Sequence, residues 1–207
     1  MTPYCTADGV RANFGGDVPN IGPEYTGVLT KKCDQVSSDI DRMVTQARGI
    51  SGPWSFVADS TATERLFLAP AGSRRFLPID DAVEITQVRI YAPGGAVSRT
   101  LVAGTNYRPW PLNGALPITA LLWAAGAWPE LPYLIGVTAK WGYGLNIPPD
   151  VQEAAEIEVI RSYLADRAGQ DDRIGMSPFG SIITAKAFTS KLKQLVSDYS
   201  HGAGFLR

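Results

Sequence analysis

The spacing of apolar residues changes twice along this chain, and that double change restricts the fold more than any single motif does. From about Pro23 to Arg48, the residues Leu29, Cys33, Val36, Ile40, Met43, Val44 and Ala47 recur at intervals of three and four, placing them on one face of a helix. Lys31, Lys32, Asp34, Asp39, Asp41 and Arg42 fall mostly on the other face, and Gly49 stops the pattern. From about 54 to 145 helical spacing disappears, and prolines and glycines recur roughly every eight to twelve residues between short aromatic and β-branched runs. From Pro148 helical spacing returns. A helix–β–helix order of this kind predicts an α+β protein: a small bundle of N- and C-terminal helices with an inserted antiparallel β module.

Each part has readable detail. Thr6 is placed to cap a short helix over Ala7–Phe14 that ends at Gly15 and Gly16. Strands are expected at Leu66–Leu68, Phe76–Ile79, Val83–Tyr91 and Leu134–Trp141, with Pro93-Gly94-Gly95 turning into a return strand near Ser98–Val102. Along Val83–Tyr91 neither alternating face is cleanly apolar, which suggests a strand covered on both sides. Tyr107-Arg108-Pro109-Trp110-Pro111 fits only an edge strand or a loop, because proline donates nothing to a ladder. Pro148-Pro149-Asp150 opens a helix with proline in its first turn and a carboxylate at the positive end of its dipole. That helix carries two apolar stripes, Val151, Ala154, Ile157, Ile160, Leu164 and Ala168 in one and Ala155, Val159 and Tyr163 in the other, so packing on two sides is expected. Residues 170–180 read as an exposed loop, followed by an amphipathic helix near Thr184–Ser200 and a Gly-rich tail.

Composition excludes several classes of function. Nineteen Lys and Arg against 20 Asp and Glu give a formal charge of −1, which leaves no footprint for tight nucleic-acid binding. One histidine and two cysteines cannot build a His-rich metal site, a four-cysteine zinc site or a disulfide scaffold. The N-terminus has no basic patch followed by an apolar run, so no export signal is expected. The most apolar run, Ala120–Trp128, is bounded by Pro117 and Pro129 and falls well short of the roughly 20 residues a membrane span needs.

Catalytic signatures are missing from the sequence. It has no phosphate-cradling loop ending in Lys-Ser or Lys-Thr, no HExxH and no Gly-x-Ser-x-Gly, so no catalytic residue, metal ligand or cofactor is assigned. Asp80-Asp81 and Asp171-Asp172 read as solvated turn carboxylates. Cys33 lies on the apolar stripe as a small hydrophobe, and a redox pair with Cys5 would need their Cα atoms within about 7 Å. Five tryptophans, at 54, 110, 123, 128 and 141, fall in or beside the β module. They supply buried area to a thin sheet; the alternative is a carbohydrate- or ligand-binding module using the Pro/Trp-rich stretch from Tyr107 to Trp128.

One junction carries a family resemblance. The strand ending Trp141-Gly142-Tyr143-Gly144, a short turn, and then Ile147-Pro148-Pro149-Asp150-Val151 opening a helix at Ala154-Ala155 resembles the head-tail connector (adaptor) proteins of long-tailed bacteriophages. The Asp39-Ile40-Asp41 helix, the wall of short strands with Tyr107–Pro111, and the late C-terminal helix follow in the same order as in larger members, so the resemblance covers about residues 24 to 199. It singles out Trp141, Gly142, Tyr143, Pro148, Pro149 and Asp150 as a structural junction.

The resemblance implies a structural virion protein, located at the portal vertex between capsid and tail and assembled in the host cytoplasm. Such adaptors form a ring of twelve beneath the portal protein, extend the DNA channel, and offer a platform to the next tail-connecting protein, a stopper or tail terminator. Double-stranded DNA passes without sequence-specific binding. The chain then divides into N-terminal helices (1–53), the β module (54–145), the main bundle helix (146–170) and a portal-docking segment (171–207). Within that segment, Ile174, Met176, Phe179, Phe188, Leu192, Leu195, Tyr199 and Phe205 are the expected docking residues, on a helix without an obvious partner in its own chain. Deleting residues beyond about Gly169 should then spare the fold. The second stripe of the bundle helix, Ala155, Val159 and Tyr163, is the expected ring interface.

Overall fold

The structure is a computed structural model that describes residues 2–14, 22–48, 53–69, 75–124, 126–167, 175–176, 182–183 and 190–200. It is α+β, and it divides into two compact units, one from Met1–Arg48 with Ile147–Gly202, the other from Gly49–Asn146.

In the first unit, α1 (Ala7–Phe14) starts at Thr6, whose hydroxyl accepts the Gly9 N–H at 3.0 Å as an N-cap does. A 3₁₀ turn at Pro23–Tyr25 leads into α2 (Thr26–Arg48). The helices α3 (Pro149–Arg167) and α4 (Ser190–Ser200) complete the bundle, and α3 packs against each of the other three. Leu29, Cys33, Val36, Ile40 and Val44 of α2 are buried as their spacing requires. Lys32 and Asp41, two of the residues expected mostly on the other face, are buried as well. The two-residue strand β7 (Gly175–Met176), within the segment read as a loop, pairs antiparallel with β8 (Ile182–Ile183), just beyond it.

The second unit is a six-stranded antiparallel sheet of β1 (Thr63–Phe67), β2 (Phe76–Tyr91), β3 (Val97–Leu101), β4 (Tyr107–Trp110), β5 (Ile118–Trp123) and β6 (Leu134–Trp141). Its order is β1-β6-β2-β5-β4, with β3 on β2. The long strand β2 replaces the two strands expected at 76–79 and 83–91. Along one edge it pairs with β6 throughout Ala82–Tyr91; the other edge is shared by β5 and β3.

Irregular pairing explains why no clean apolar face is visible along β2. On β6 the residues Ile135, Val137, Ala139 and Trp141 alternate regularly and are all buried. Their partners on β2 are Ile90, Val88, Ile85 and Ala82, because register shifts lie between Ala82 and Glu84 and between Ile85 and Gln87. Each bulge inserts one residue and reverses the alternation. Counting by twos therefore mixes the faces, while the folded strand keeps these residues on one core with Leu77, Leu101, Tyr107, Leu121 and Trp128.

β5 falls on the apolar run and was not expected as a strand. A strand with apolar residues at consecutive positions, as at Ala120–Trp123, carries no period-two signal.

Candidate functional site

The junction after β6 is built from backbone bonds and aromatic rings. Gly142 donates its N–H to the Asp81 carbonyl at 2.8 Å, Tyr143 to Ser55 at 3.0 Å and Gly144 to Phe56 at 3.1 Å, while Ala58 and Asp59 donate back to Gly144 and Trp141. Gly142 sits at φ 145°, and a Cβ there would lie 2.5 Å from the Ala58 Cα, so this position accepts no side chain. Trp54, Phe56 and Tyr143 make mutual edge-to-face contacts with centroids 4.6 to 6.4 Å apart. Trp141 gives its indole N–H to the Thr63 carbonyl at 2.8 Å, and the Arg65 guanidinium covers its ring at 4.6 Å.

The two neighbouring carboxylates are part of this construction rather than a solvated turn. Asp81 is 2% exposed and accepts the Trp54 indole N–H at 2.9 Å. Asp80 accepts from Arg65 at 2.6 Å, and Arg65 also donates to the Pro53 carbonyl. Adjacent strand residues point to opposite faces, so the pair does not converge on one ion. Among the described residues no group of three or more His, Cys, Asp or Glu side chains could hold a metal. Asp171, Asp172 and His201 lie outside the described residues.

Three of the five tryptophans, Trp54, Trp128 and Trp141, are core residues whose indole N–H groups bond to Asp81 or to backbone carbonyls. Trp110 is the one exposed at 37%, and it lies edge-on to Phe76 at 5.4 Å. A carbohydrate platform needs open ring faces. The buried rings serve packing.

In the helical unit, the second half of the junction begins α3. Asp150 accepts the Val151 N–H at 3.0 Å in the first turn, and the Tyr199 hydroxyl donates to both its carboxylate oxygens at 3.1 Å. Lys191 of α4 forms an ion pair with Glu153 of α3. Leu192, Leu195 and Val196 are buried, and α4 packs on α2 and α3. Leu192, Leu195 and Tyr199, expected on a helix without a partner in its own chain, are therefore engaged by that chain. A single helix shows its own apolar stripe, but the groove between two others that receives it is invisible in sequence. Ile174, Phe179, Phe188 and Phe205 lie outside the described residues, and Met176 is placed on β7.

The residues of the expected ring stripe are buried within their own unit. Ala155 and Val159 are 0% exposed and Tyr163 is 2% exposed within one protomer. Tyr163 meets Tyr25 edge-on at 5.8 Å, with the Arg167 guanidinium near both rings. Among the described residues of the first stripe, the one that stays outside is Leu164, at 42% exposure, with Val28 of α2 at 45%. The two-stripe pattern does denote packing on two sides, but both sides are covered by helices of the same unit.

Polar groups that sequence reasoning passed over fix this packing. Glu156 of α3 is buried, accepts the Asn13 amide of α1 at 2.5 Å and the Gln152 amide at 3.1 Å, and lies so close to Gly9 that a Cβ there would meet its carboxylate at 2.9 Å. Lys32 of α2 donates to the Ser162 hydroxyl at 2.8 Å and pairs with Asp166. Tyr4 donates its N–H to Ser37 at 2.8 Å and its hydroxyl to Asp41. Burial pushes the Asp41 carboxyl up to about 7, with the Tyr4 hydroxyl pulling the other way. In the sheet, burial likewise raises the Tyr107 phenol.

No protein-family model matches the chain, and no curated protein matches its sequence. Solved structures do share its fold. A chain in the neck of the empty GTA (gene transfer agent) particle computed with C6 symmetry aligns with a TM-score of 0.53 at 13% identity, over 92% of this chain and 86% of that one. A chain in the neck of the native GTA particle computed with C12 symmetry aligns with a TM-score of 0.51 at 13% identity, over 91% and 86%. At that identity the likeness is one of fold, and it spans both units.

Proposed function

We propose that this chain is a structural neck protein of a phage-like particle, a head-to-tail adaptor that forms a ring under the portal protein. The observation that carries the reading is the fold shared with GTA neck chains over nine-tenths of this chain. The Trp141–Asp150 junction, which resembles adaptors on independent grounds, agrees with it. The C12 symmetry of one neighbouring neck supports twelve copies per ring. The ring extends the DNA channel and supports a stopper or tail terminator, and a formal charge of −1 suits a conduit that does not hold its DNA. No step in this role requires a catalytic group.

We propose two changes in where its contacts lie. Ring contacts fall to exposed surface, Val28 and Leu164 in the helical unit, rather than to Ala155, Val159 and Tyr163. Closing a ring takes two different patches per subunit, so these two apolar side chains need not face each other. Portal docking falls to Ile174, Met176, Phe179, Phe188 and Phe205, while α4 stays with the bundle.

Co-purification with the portal protein of the same particle tests the docking segment. Phe179→Asp combined with Phe188→Asp should abolish capture of the portal without changing the thermal unfolding midpoint. Full capture by the double variant would overturn the assignment of this segment.

A further inference from the structure

Two thiols that the structural role does not use lie together in the helical unit. Cys5 precedes α1, Cys33 lies in the second turn of α2, and both are free and buried, at 3% and 2% exposure. The Cys5 thiol donates a hydrogen bond to the Cys33 sulfur. Both line a single cleft of about 290 Å³, whose walls include Pro3, Thr6, Asp8, Thr26 and Thr30. A pair of thiols already in contact, at the wall of a cleft large enough for a small molecule, differs from two buried hydrophobes.

We propose that Cys5 and Cys33 form a dithiol modification site, which closes to an intrachain disulfide by exchange with a small organic disulfide admitted through the cleft.

The local chemistry orders the two sulfurs. The hydrogen bond from Cys5 holds the Cys33 thiol below its usual range, while donating that bond and being buried push Cys5 far above it. Asp34 and Glu156 face both and oppose ionisation of either. Cys33 is therefore the attacking thiolate. It displaces one thiolate from the organic disulfide and forms a mixed disulfide. That departing thiolate takes the Cys5 proton, and the Cys5 sulfur then attacks the Cys33 sulfur and expels the second thiolate. Two protein thiols are oxidised, and the one organic disulfide is reduced to two thiols.

The bond would make permanent an attachment that is otherwise polar and local. The segment ahead of α1 is held on α2 by the Tyr4 N–H to Ser37 and the Tyr4 hydroxyl to Asp41. A covalent link from Cys5 to Cys33 closes a loop of roughly thirty residues, long enough for a substantial loss of unfolded-state entropy.

The test is incubation of the folded full chain with 2-hydroxyethyl disulfide, followed by intact mass, peptide mapping and thermal unfolding. The expected result is a monomer lighter by two hydrogen atoms, a peptide joining Cys5 to Cys33, and a midpoint higher by roughly 5 °C that dithiothreitol reverses. Cys5→Ser should instead stop at a stable mixed disulfide on Cys33. If circular dichroism finds that variant unfolded, the wild-type masses decide alone. Two thiols left free, a mixed disulfide that persists in the wild-type chain, or bonds only between chains would each overturn the proposal.

Discussion

Among the described residues, the helical unit buries Lys32, Ser37, Asp41, Glu156 and Glu158 alongside its apolar side chains, whereas the β unit buries Asp81 alone of the polar and charged types. The sheet satisfies its backbone through ladders, and bulges and rings then decide how side chains meet. Four helices satisfy their backbones internally and could slide or rotate against one another. Polar contacts specific to one helix pair, such as Lys32 with Ser162 or Asn13 with Glu156, discriminate against such slips. The comparison teaches that this chain fixes one unit by shape and the other by polar pairing, at some cost in desolvation.

Several substitutions would break or sharpen that contrast. The largest effect belongs to the sheet: Trp141→Ala removes a buried ring, its bond to Thr63 and the surface under Arg65, and should cost about 4 kcal/mol in urea denaturation. A loss under about 1 kcal/mol would show that the rings do not fix the sheet. Gly142→Ala should cost about 3 kcal/mol, because the added carbon meets Ala58 backbone and the dihedral is one that L-residues avoid. In the bundle, Leu192→Ala should cost about 2–3 kcal/mol, the value for a packed helix; a change below about 0.5 kcal/mol would return α4 to the unpartnered state expected from sequence.

Asp41 gives a smaller, pH-dependent effect of opposite sign. The folded carboxyl keeps its proton up to about pH 7, whereas in the unfolded chain it ionises near 3.8. Unfolding therefore releases a proton within that window, and stability falls as pH rises from about 4 to above 7. Asp41→Asn, which keeps an acceptor for Tyr4, should leave stability nearly unchanged at about pH 3, below the unfolded carboxyl's own range, and stabilise on the order of 1–3 kcal/mol at pH 9. Equal effects at both pH values would contradict the burial argument. Smallest of all, Leu164→Asp should shift stability by no more than about 0.5 kcal/mol, since it lies on the surface. Its predicted consequence is in assembly, as loss of rings by electron microscopy; intact rings would remove Leu164 from the interface.

The fold class was legible because the helical stripes of α2 and α3 and the strand β6 each obey one period over their whole length. What stayed hidden depended on partners. The bulges along β2 become visible only when it is paired with its neighbouring strands, and the burial of α4 needs the groove that receives it. Asp41 and Glu156 look like surface carboxylates until Tyr4, Asn13 and Gln152 are brought to them. For the site, the junction residues were legible because Gly142 and Pro149 carry backbone constraints of their own. Ala155, Val159 and Tyr163 are buried within their own unit, which their sequence does not reveal, because an apolar stripe states that it is covered, not by which chain.

Electron microscopy of the chain mixed with the portal protein of its own particle tests the adaptor reading most directly. The account predicts a second ring stacked on the portal, with the helical units continuing the central channel and twelve copies after symmetry analysis. Portal rings that stay bare at every ratio and salt concentration, beside a folded and soluble chain, would contradict it.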